Sequence, residues 1–145
     1  MPGLYVHIPY CVKKCDYCDF VSFPEDGSLG AYVDALIREI RLTAEARLCS
    51  LTFDTVFFGG GTPSLLSGAQ LRRIMDALRE SFPIDDGAEI SMECNPGTAT
   101  GENLAAYRAA GVNRLSLGLQ SADDDLLRSI GRIHTFRQFL DTLEL

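Results

Sequence analysis

Three cysteines lie within eight consecutive positions near the start of the chain. Cys11, Cys15 and Cys18 follow the spacing C-x3-C-x2-C in the stretch "YVHIPYCVKKCDYCDF". The chain has five cysteines in all, and an odd number with this crowding is a poor fit to a secreted disulfide framework. Reduced thiols that hold a metal explain the pattern better.

Three thiols in one short loop could hold an iron-sulfur cluster and leave one of its irons open. A four-iron cluster is usually held by four thiolates, so three ligands leave one iron free to bind a substrate or cofactor. One alternative is a zinc site completed by His7, Cys49 or Cys94, although zinc ligands usually come in C-x2-C pairs. A second alternative is a closed electron-transfer cluster with Cys94 as its fourth ligand.

The two remaining cysteines are predicted to lie away from such a metal. Cys94 follows Glu93 in a predicted strand, and successive residues of a strand point to opposite faces. If Glu93 faces a cavity, Cys94 therefore faces the helices. Cys49 has no metal-ligating neighbour in sequence and is predicted to be a buried apolar residue.

Glycines and polar side chains end the other predicted strands. Residues 59–61 are glycines followed by Thr62, and residues without Cβ let backbone N–H groups approach a carboxylate or amine closely. This run is neither a dinucleotide fingerprint nor a P-loop. Glu93 and Gln120 end the third and fourth strands. Active sites of β/α barrels gather at the carboxyl ends of the strands, so these groups and the cysteine loop are expected on one rim.

Strand and helix patterns alternate along the chain and would position these groups. Period-two patterns predict strands over residues 4–8, 54–58, 88–95 and 113–120. Helical spacing predicts helices over residues 32–47, 67–82, 104–110, 123–130 and 135–145. Ser67 with Gln70, and Thr135 with Gln138, are predicted capping boxes.

Four strand-helix units predict parallel strands joined by right-handed crossovers. Strands one, three and four each keep a polar face, whereas a doubly wound sheet is apolar on both sides. The sequence therefore favours an α/β fold with a partial (β/α) barrel around a wet cavity. Four strands cannot close a barrel, and the last helix reaches Leu145 without a C-cap residue, so the chain is expected to be a fragment cut inside a helix.

The composition argues against several classes of partner and location. A formal net charge of −7 disfavours binding to phosphate backbones, so no nucleic-acid partner is expected. No apolar run approaches the roughly 20 residues that span a bilayer, and the first residues do not match a secretion signal. A cytoplasmic location is therefore predicted.

The cysteine loop resembles the signature of the radical S-adenosylmethionine superfamily, which has C-x3-C-x2-C with an aromatic residue, here Tyr17, before the last cysteine. "GGGTPS" after the second strand is similar to a second element of that superfamily. The resemblance implies a [4Fe-4S] cluster held by Cys11, Cys15 and Cys18, whose open iron binds S-adenosylmethionine and whose electron cleaves the sulfonium bond to give a 5'-deoxyadenosyl radical. It also implies that residues 1–145 are the N-terminal part of a radical SAM core domain, the first four units of its barrel, with the rest of the barrel and a C-terminal domain absent.

Longer stretches resemble the oxygen-independent coproporphyrinogen III oxidase-like group of that superfamily. They are "LYVHIPYCVKKCDYCDF", "FFGGGTPSLL", "NPGT", "GVNRLSLGLQS" and "GRIHT", which together span positions 4 to 135. The oxidase of this group uses two S-adenosylmethionine molecules, the resemblance leaves open whether this chain binds one or two, and it assigns no catalytic residue here. It implies contacts to S-adenosylmethionine at Tyr5, Tyr17, Gly60, Gly61, Thr62, Glu93, Gln120 and Arg132.

Phe20 distinguishes two branches of this group. The oxidases tend to carry a further cysteine two positions after the last ligand, where this chain has Phe20. Phe20 together with "GRIHT" resembles the HemW-like haem chaperone branch, which favours a chaperone and keeps porphyrin oxidation as the alternative. The resemblance implies haem as a ligand of the full-length protein, an electron donor protein, and peripheral contact with membrane respiratory proteins.

Overall fold

Strands and helices alternate along the chain in the computed structural model, which describes residues 2–46 and 51–145. The strands are β1 Gly3–Ile8, β2 Tyr10–Cys11, β3 Phe23–Pro24, β4 Phe53–Gly60, β5 Ile84–Cys94 and β6 Arg114–Leu117. The helices are α1 Leu29–Ala46, α2 Gly68–Ser81, α3 Gly101–Ala110, α4 Asp124–Ser129 and α5 Phe136–Glu144. A short 3-10 helix, Pro63–Leu65, follows the glycine run.

The main sheet has the strand order β1-β4-β5-β6, and every neighbouring pair in it is parallel. This confirms the predicted α/β class and the partial β/α barrel. The register sets His7 beside Gly59 and Glu93 beside Ser116. Because the four strands run in the same direction, their carboxyl ends lie along one edge of the sheet.

One face of the sheet packs against the helices and forms the core. Val56, Phe58 and Met92 are completely buried there, and Leu71 and Ile74 of α2 pack into the same cluster. The other face carries the polar side chains, as alternation along a strand requires. In the described ranges, no helix is both long and apolar enough to cross a membrane.

The predicted helix ends are close to the observed ones, and both capping boxes are confirmed. Ser67 and Gln70 exchange side-chain and backbone hydrogen bonds at the start of α2, as Thr135 and Gln138 do before α5. The helix predicted from residue 32 begins at Leu29, because Gly30 interrupts the apolar pattern without interrupting the helix. The predicted end of this helix at residue 47 and the prediction for Cys49 lie outside the described residues.

The fourth strand is shorter than the alternation predicts. β6 ends at Leu117, so the predicted extension through Gly118 and Gln120 is wrong. Gln120 has a φ of 68°, which no strand residue adopts. Among the described strands β6 pairs with β5 alone, so nothing on its other side continues the ladder.

Two short parallel strands, β2 and β3, were not predicted. Tyr10 pairs with Phe23 and Cys11 with Pro24, and two residues are too few to show a period. The pairing closes the cysteine loop at its base, where the Phe23 amide donates to the Pro9 carbonyl at 2.8 Å. The loop therefore leaves β1 and returns toward the sheet before α1 begins.

Tyr107 connects α3 by hydrogen bonds to the segment that follows the glycine run. It is 1% exposed, and its hydroxyl donates to the carbonyl oxygens of Ser64 at 3.1 Å and Leu66 at 2.5 Å. Burial, and to a lesser extent the charge of Cys94, raises the pKa of Tyr107 from 10.0 to about 12. The folded protein therefore keeps this hydroxyl protonated where an unfolded chain would lose the proton.

Tyr107→Phe is expected to lower the free energy of unfolding at pH 7 by about 1 to 2 kcal/mol, because two buried carbonyl groups lose a donor. A raised tyrosine pKa stabilises the fold fully below pH 10, and this contribution is lost as the pH rises toward 12. The wild type should therefore lose more stability than the variant over this range. Urea unfolding at pH 7, 10 and 11.5 measures the effect; parallel pH profiles for the two proteins would contradict it.

Candidate cofactor site at the carboxyl ends of the strands

A cavity of about 440 Å³ opens at the carboxyl ends of the parallel strands. All three cysteines of the loop line it, together with the glycine run after β4 and the residues that follow β5 and β6. These segments are far apart in sequence and meet only because the strands are parallel and in register. The cavity is therefore a product of the sheet topology.

The cysteine loop lies over this cavity and is held at several points. Cys11 is buried, Cys15 and Cys18 are half-buried, and no disulfide joins the cysteines of the described part. The Cys18 amide donates to the Cys15 carbonyl at 3.1 Å, and the Asp16 amide donates to the Ile130 carbonyl at 3.2 Å. The loop is thus attached to the segment after α4 as well as to its own base.

The glycine run packs so tightly against the start of the cysteine loop that side chains would not fit. Gly60 has a φ of 113°, and a Cβ on it would lie 2.7 Å from a ring carbon of His7. A Cβ on Gly61 would lie 2.6 Å from the Tyr10 carbonyl oxygen and 3.0 Å from the Cys11 sulfur. The two glycines therefore form a cradle of bare backbone beside a potential metal ligand.

Glu93 projects from the end of β5 toward this cradle. Its Oε2 accepts a hydrogen bond from the Gly60 amide at 3.2 Å. Burial raises the pKa of the Glu93 carboxyl, while the hydrogen bond from Gly60 and the Coulombic influence of His7 oppose the shift. The carboxylate keeps free acceptor positions toward the cavity, which suit an amine or hydroxyl of a ligand.

A chain of hydrogen bonds connects two of the cysteine sulfurs. The Thr62 hydroxyl donates to the Cys11 sulfur at 3.5 Å and accepts a hydrogen bond from the side-chain Nδ2 of Asn95 at 3.1 Å. Arg132 donates from Nη2 to Asn95 Oδ1 at 2.8 Å and from Nη1 to the Cys15 sulfur at 3.7 Å. Donors aimed at sulfur stabilise thiolates, so this chain suits an anionic cluster ligand set.

Arg132 reaches the cavity from the turn after α4. It also donates to the Gly118 carbonyl at 2.5 Å, whereas its Nε is buried without a hydrogen-bond partner in the described structure. The guanidinium group of Arg132 lines the cavity. Its positive charge therefore suits an anionic ligand there.

The structure brings together seven of the eight residues predicted to contact S-adenosylmethionine. Tyr5 lies outside the cavity lining; its hydroxyl bonds to His7 Nδ1 at 3.0 Å and its ring stacks on Phe57. Sequence reasoning missed Asn95 as a site residue, although it directly follows β5 and the alternation places it on the same polar face as Glu93. The residues that line the cavity are Tyr17, Gly60, Gly61, Thr62, Glu93, Gln120 and Arg132.

Two of the three fourth ligands considered for zinc, His7 and Cys94, are engaged in hydrogen bonds, and the third, Cys49, lies outside the described residues. His7 Nε2 donates to the Val21 carbonyl at 2.8 Å, and Nδ1 is paired with Tyr5, so both ring nitrogens are used. Cys94 was predicted to lie away from the metal, and the structure places it at the border of the cavity. Its thiol is buried, which raises its pKa, and donates to the Asn95 carbonyl. Within residues 2–46 and 51–145, no three His, Cys, Asp or Glu side chains are grouped so that they could hold a metal ion. The fit of the three thiols to a cluster rests on their shared cavity and on the cationic side chains around it, Lys13, Lys14 and Arg132.

The fold and the site together place this chain in the class of β/α barrel proteins that carry a three-cysteine loop at the carboxyl ends of the strands. The family description of the Radical SAM superfamily matches residues 5–145. The chain therefore belongs to the radical SAM superfamily, in the branch that contains HemW and HemN.

Relatives in several organisms support this placement. The heme chaperone HemW of Escherichia coli is 44% identical over 134 residues, which are 91% of this chain and 35% of that protein. The mitochondrial "Radical S-adenosyl methionine domain-containing protein 1" of Bos taurus is 43% identical over 146 residues, 97% of this chain and 32% of its own length. The solved structure of coproporphyrinogen III oxidase (HemN) from Escherichia coli superposes with a TM-score of 0.88 at 35% identity, covering 98% of this chain and 33% of the other. The chain thus spans about a third of the length of the relatives it matches.

Proposed function

We propose that this chain binds a [4Fe-4S] cluster through Cys11, Cys15 and Cys18, and S-adenosylmethionine in the adjoining cavity. The observation that carries the proposal is the single cavity that all three thiols share with Glu93 and Arg132. When bound, such a cluster supplies the electron that cleaves the sulfonium bond of S-adenosylmethionine. The residues of this chain would hold and orient the two groups.

Each side of the cavity has a distinct part in this proposal. The bare backbone at Gly60 and Gly61 lets a ligand approach the sheet edge closely. Glu93, held by the Gly60 amide, accepts hydrogen bonds from the amino group of the ligand. Arg132 offsets the negative charge of the thiolates, and its positive charge at the cavity wall suits a ligand carboxylate. Tyr5 would act on the ligand only indirectly, through Glu93. Burial, and to a lesser extent the charge of Glu93, raises the pKa of Tyr5.

We further propose that the whole protein serves as a haem chaperone, with porphyrin oxidation as the second candidate. The names of the bacterial relatives support the first, and the similarity to the solved oxidase supports the second. Phe20, which lines the cavity where oxidases tend to carry a cysteine, favours the chaperone. Haem or a porphyrin, an electron donor protein, peripheral contact with membrane respiratory proteins and a cytoplasmic location belong to the same proposal.

Anaerobic reconstitution of the full-length protein tests the cofactor proposal. Iron should reach about four atoms per chain, and the electron paramagnetic resonance signal of the reduced cluster should shift when S-adenosylmethionine is added. If the electron paramagnetic resonance signal did not change on addition of S-adenosylmethionine, the proposed binding of S-adenosylmethionine would be contradicted. Titration with haem, and separately an assay for decarboxylation of coproporphyrinogen III, would then decide between chaperone and oxidase.

A further inference from the structure

Gln120 occupies a strained turn at the rim of the cavity. Its φ is 68°, and it is the only described residue other than glycine with a positive φ. The Ser121 amide donates to the Leu119 carbonyl at 2.9 Å across it, so Gln120 is the central residue of a tight three-residue turn. The positive-φ form of this turn is rare and strained. Strain of this kind persists only where surrounding contacts enforce it.

Two side chains from the segment between α4 and α5 contact the first carbonyl group of this turn and the carbonyl group just before it. Arg132 donates to the Gly118 carbonyl at 2.5 Å, and His134 Nε2 bonds to the Leu119 carbonyl at 3.2 Å. The Leu119 oxygen therefore receives both the hydrogen bond that closes the turn and one from His134. A carbonyl can only accept, so Nε2 of His134 carries the hydrogen.

His134 is itself rigidly placed. It is 4% exposed, and its Nδ1 is buried with no hydrogen-bond partner in the described structure. The neighbouring Arg132 amide donates to the Leu127 carbonyl at 2.9 Å, and the following Thr135 caps α5. Burial, together with the positive charge of Arg132, lowers the pKa of His134. The imidazole thus stays neutral and keeps its one donor on Leu119.

The geometry points to His134 as a positioning residue that holds the turn and so presents Gln120 to the ligand in the cavity. His134 does not line the cavity, whereas Gln120 does. Arg132 contacts Cys15 and Asn95 besides the turn, so its loss would disturb several parts of the site. His134 has one side-chain hydrogen bond in the described structure, which makes it the sharper test. The inference rests on the proposed function for the identity of the ligand.

His134→Ala, His134→Asn and His134→Gln separate this role from general packing. A glutamine amide nitrogen reaches about as far as Nε2, whereas an asparagine amide reaches only as far as Nδ1. Loss of the hydrogen bond should raise the dissociation constant for S-adenosylmethionine about tenfold in the cluster-loaded alanine and asparagine variants. The glutamine variant should stay within about threefold of the wild type, and all three should keep the wild-type iron content because the cysteines are unchanged.

Hydrogen exchange of the cluster-free protein gives a second readout that needs no cofactor. The Ser121 amide should exchange about tenfold faster in the alanine and asparagine variants and at nearly the wild-type rate in the glutamine variant. Thr142→Val in α5 removes the hydroxyl that accepts a hydrogen bond from the Gly97 amide. This variant controls for lost stability and should leave the exchange of the Ser121 amide unaffected. Equal behaviour of the asparagine and glutamine variants would overturn the positioning role. If the wild-type protein took up no iron, the proposed function would be contradicted. The exchange rates of the Ser121 amide would still test whether His134 holds the turn.

Discussion

Replacement of Cys15 by serine should reduce the iron of the reconstituted protein from about four atoms per chain to below about one. The loop supplies three thiols to the cavity, and a cluster left with two has too few ligands to be retained. Cys15 is half-buried and lies in a loop rather than in the core, so the free energy of unfolding of the cluster-free protein should change by less than about 0.5 kcal/mol. Iron analysis and urea unfolding of the same preparations separate ligand loss from misfolding.

Cys94→Ala is the matched control for this experiment. Cys94 is 3% exposed, and its thiol donates to the Asn95 carbonyl. The variant should keep the full iron content and lose a modest amount of stability from the small cavity it leaves. A folded Cys94→Ala protein without iron would mean that Cys94 is the fourth ligand of a closed cluster, and the open coordination position would then be gone.

Gly61→Ala should impair folding and cluster binding together. The added Cβ would meet backbone atoms of Tyr10 and the Cys11 sulfur, and backbone cannot rotate away as a side chain can. Forcing these segments apart is expected to cost about 1 to 3 kcal/mol of stability, the usual range for overpacking. The displacement falls on the first cysteine of the loop, so iron retention should drop as well. Thermal unfolding without cofactor and iron content after reconstitution measure the two effects.

Gly30→Ala provides the comparison for the same chemical change without a clash. Gly30 lies in α1, and a Cβ placed there meets no atom within 4 Å. Alanine also favours helix over glycine, so this variant should be as stable as the wild type or more stable by up to about 1 kcal/mol. Equal stability of the Gly61→Ala and Gly30→Ala variants would show that the close packing at Gly61 does not contribute to the free energy of unfolding.

Much of the site could be predicted from local sequence patterns. The spacing of Cys11, Cys15 and Cys18 indicates one shared metal whatever the fold, because the ligands are a few residues apart. Alternation along β5 places Glu93 on the face opposite Met92, and the structure confirms that Met92 is buried while Glu93 reaches the cavity. Both capping boxes were likewise visible, since a cap is a contact between residues three positions apart.

Contacts between distant segments could not be predicted in this way. Asn95 joins Thr62 to Arg132, and no local pattern reports that these three residues meet. Gln120 was predicted to continue a strand, because leucines alternate up to that point; the turn is set instead by Arg132 and His134 from a later segment. Tyr5 lies in the first strand as predicted, yet it does not line the cavity, and its hydroxyl bonds to His7 instead.

The sequence by itself predicted a metal-binding cysteine loop, and it determined the order of the main strands and helices and the face that each main strand buries, because these depend on residue types and spacings within a few positions. Only the tertiary structure decided which polar groups meet at the rim, how tightly Gly61 packs on the cysteine loop, and where His134 donates its hydrogen bond. Those outcomes depend on parallel strands brought into register from across the chain, and the free energy of such packing is shared among residues that no short stretch contains.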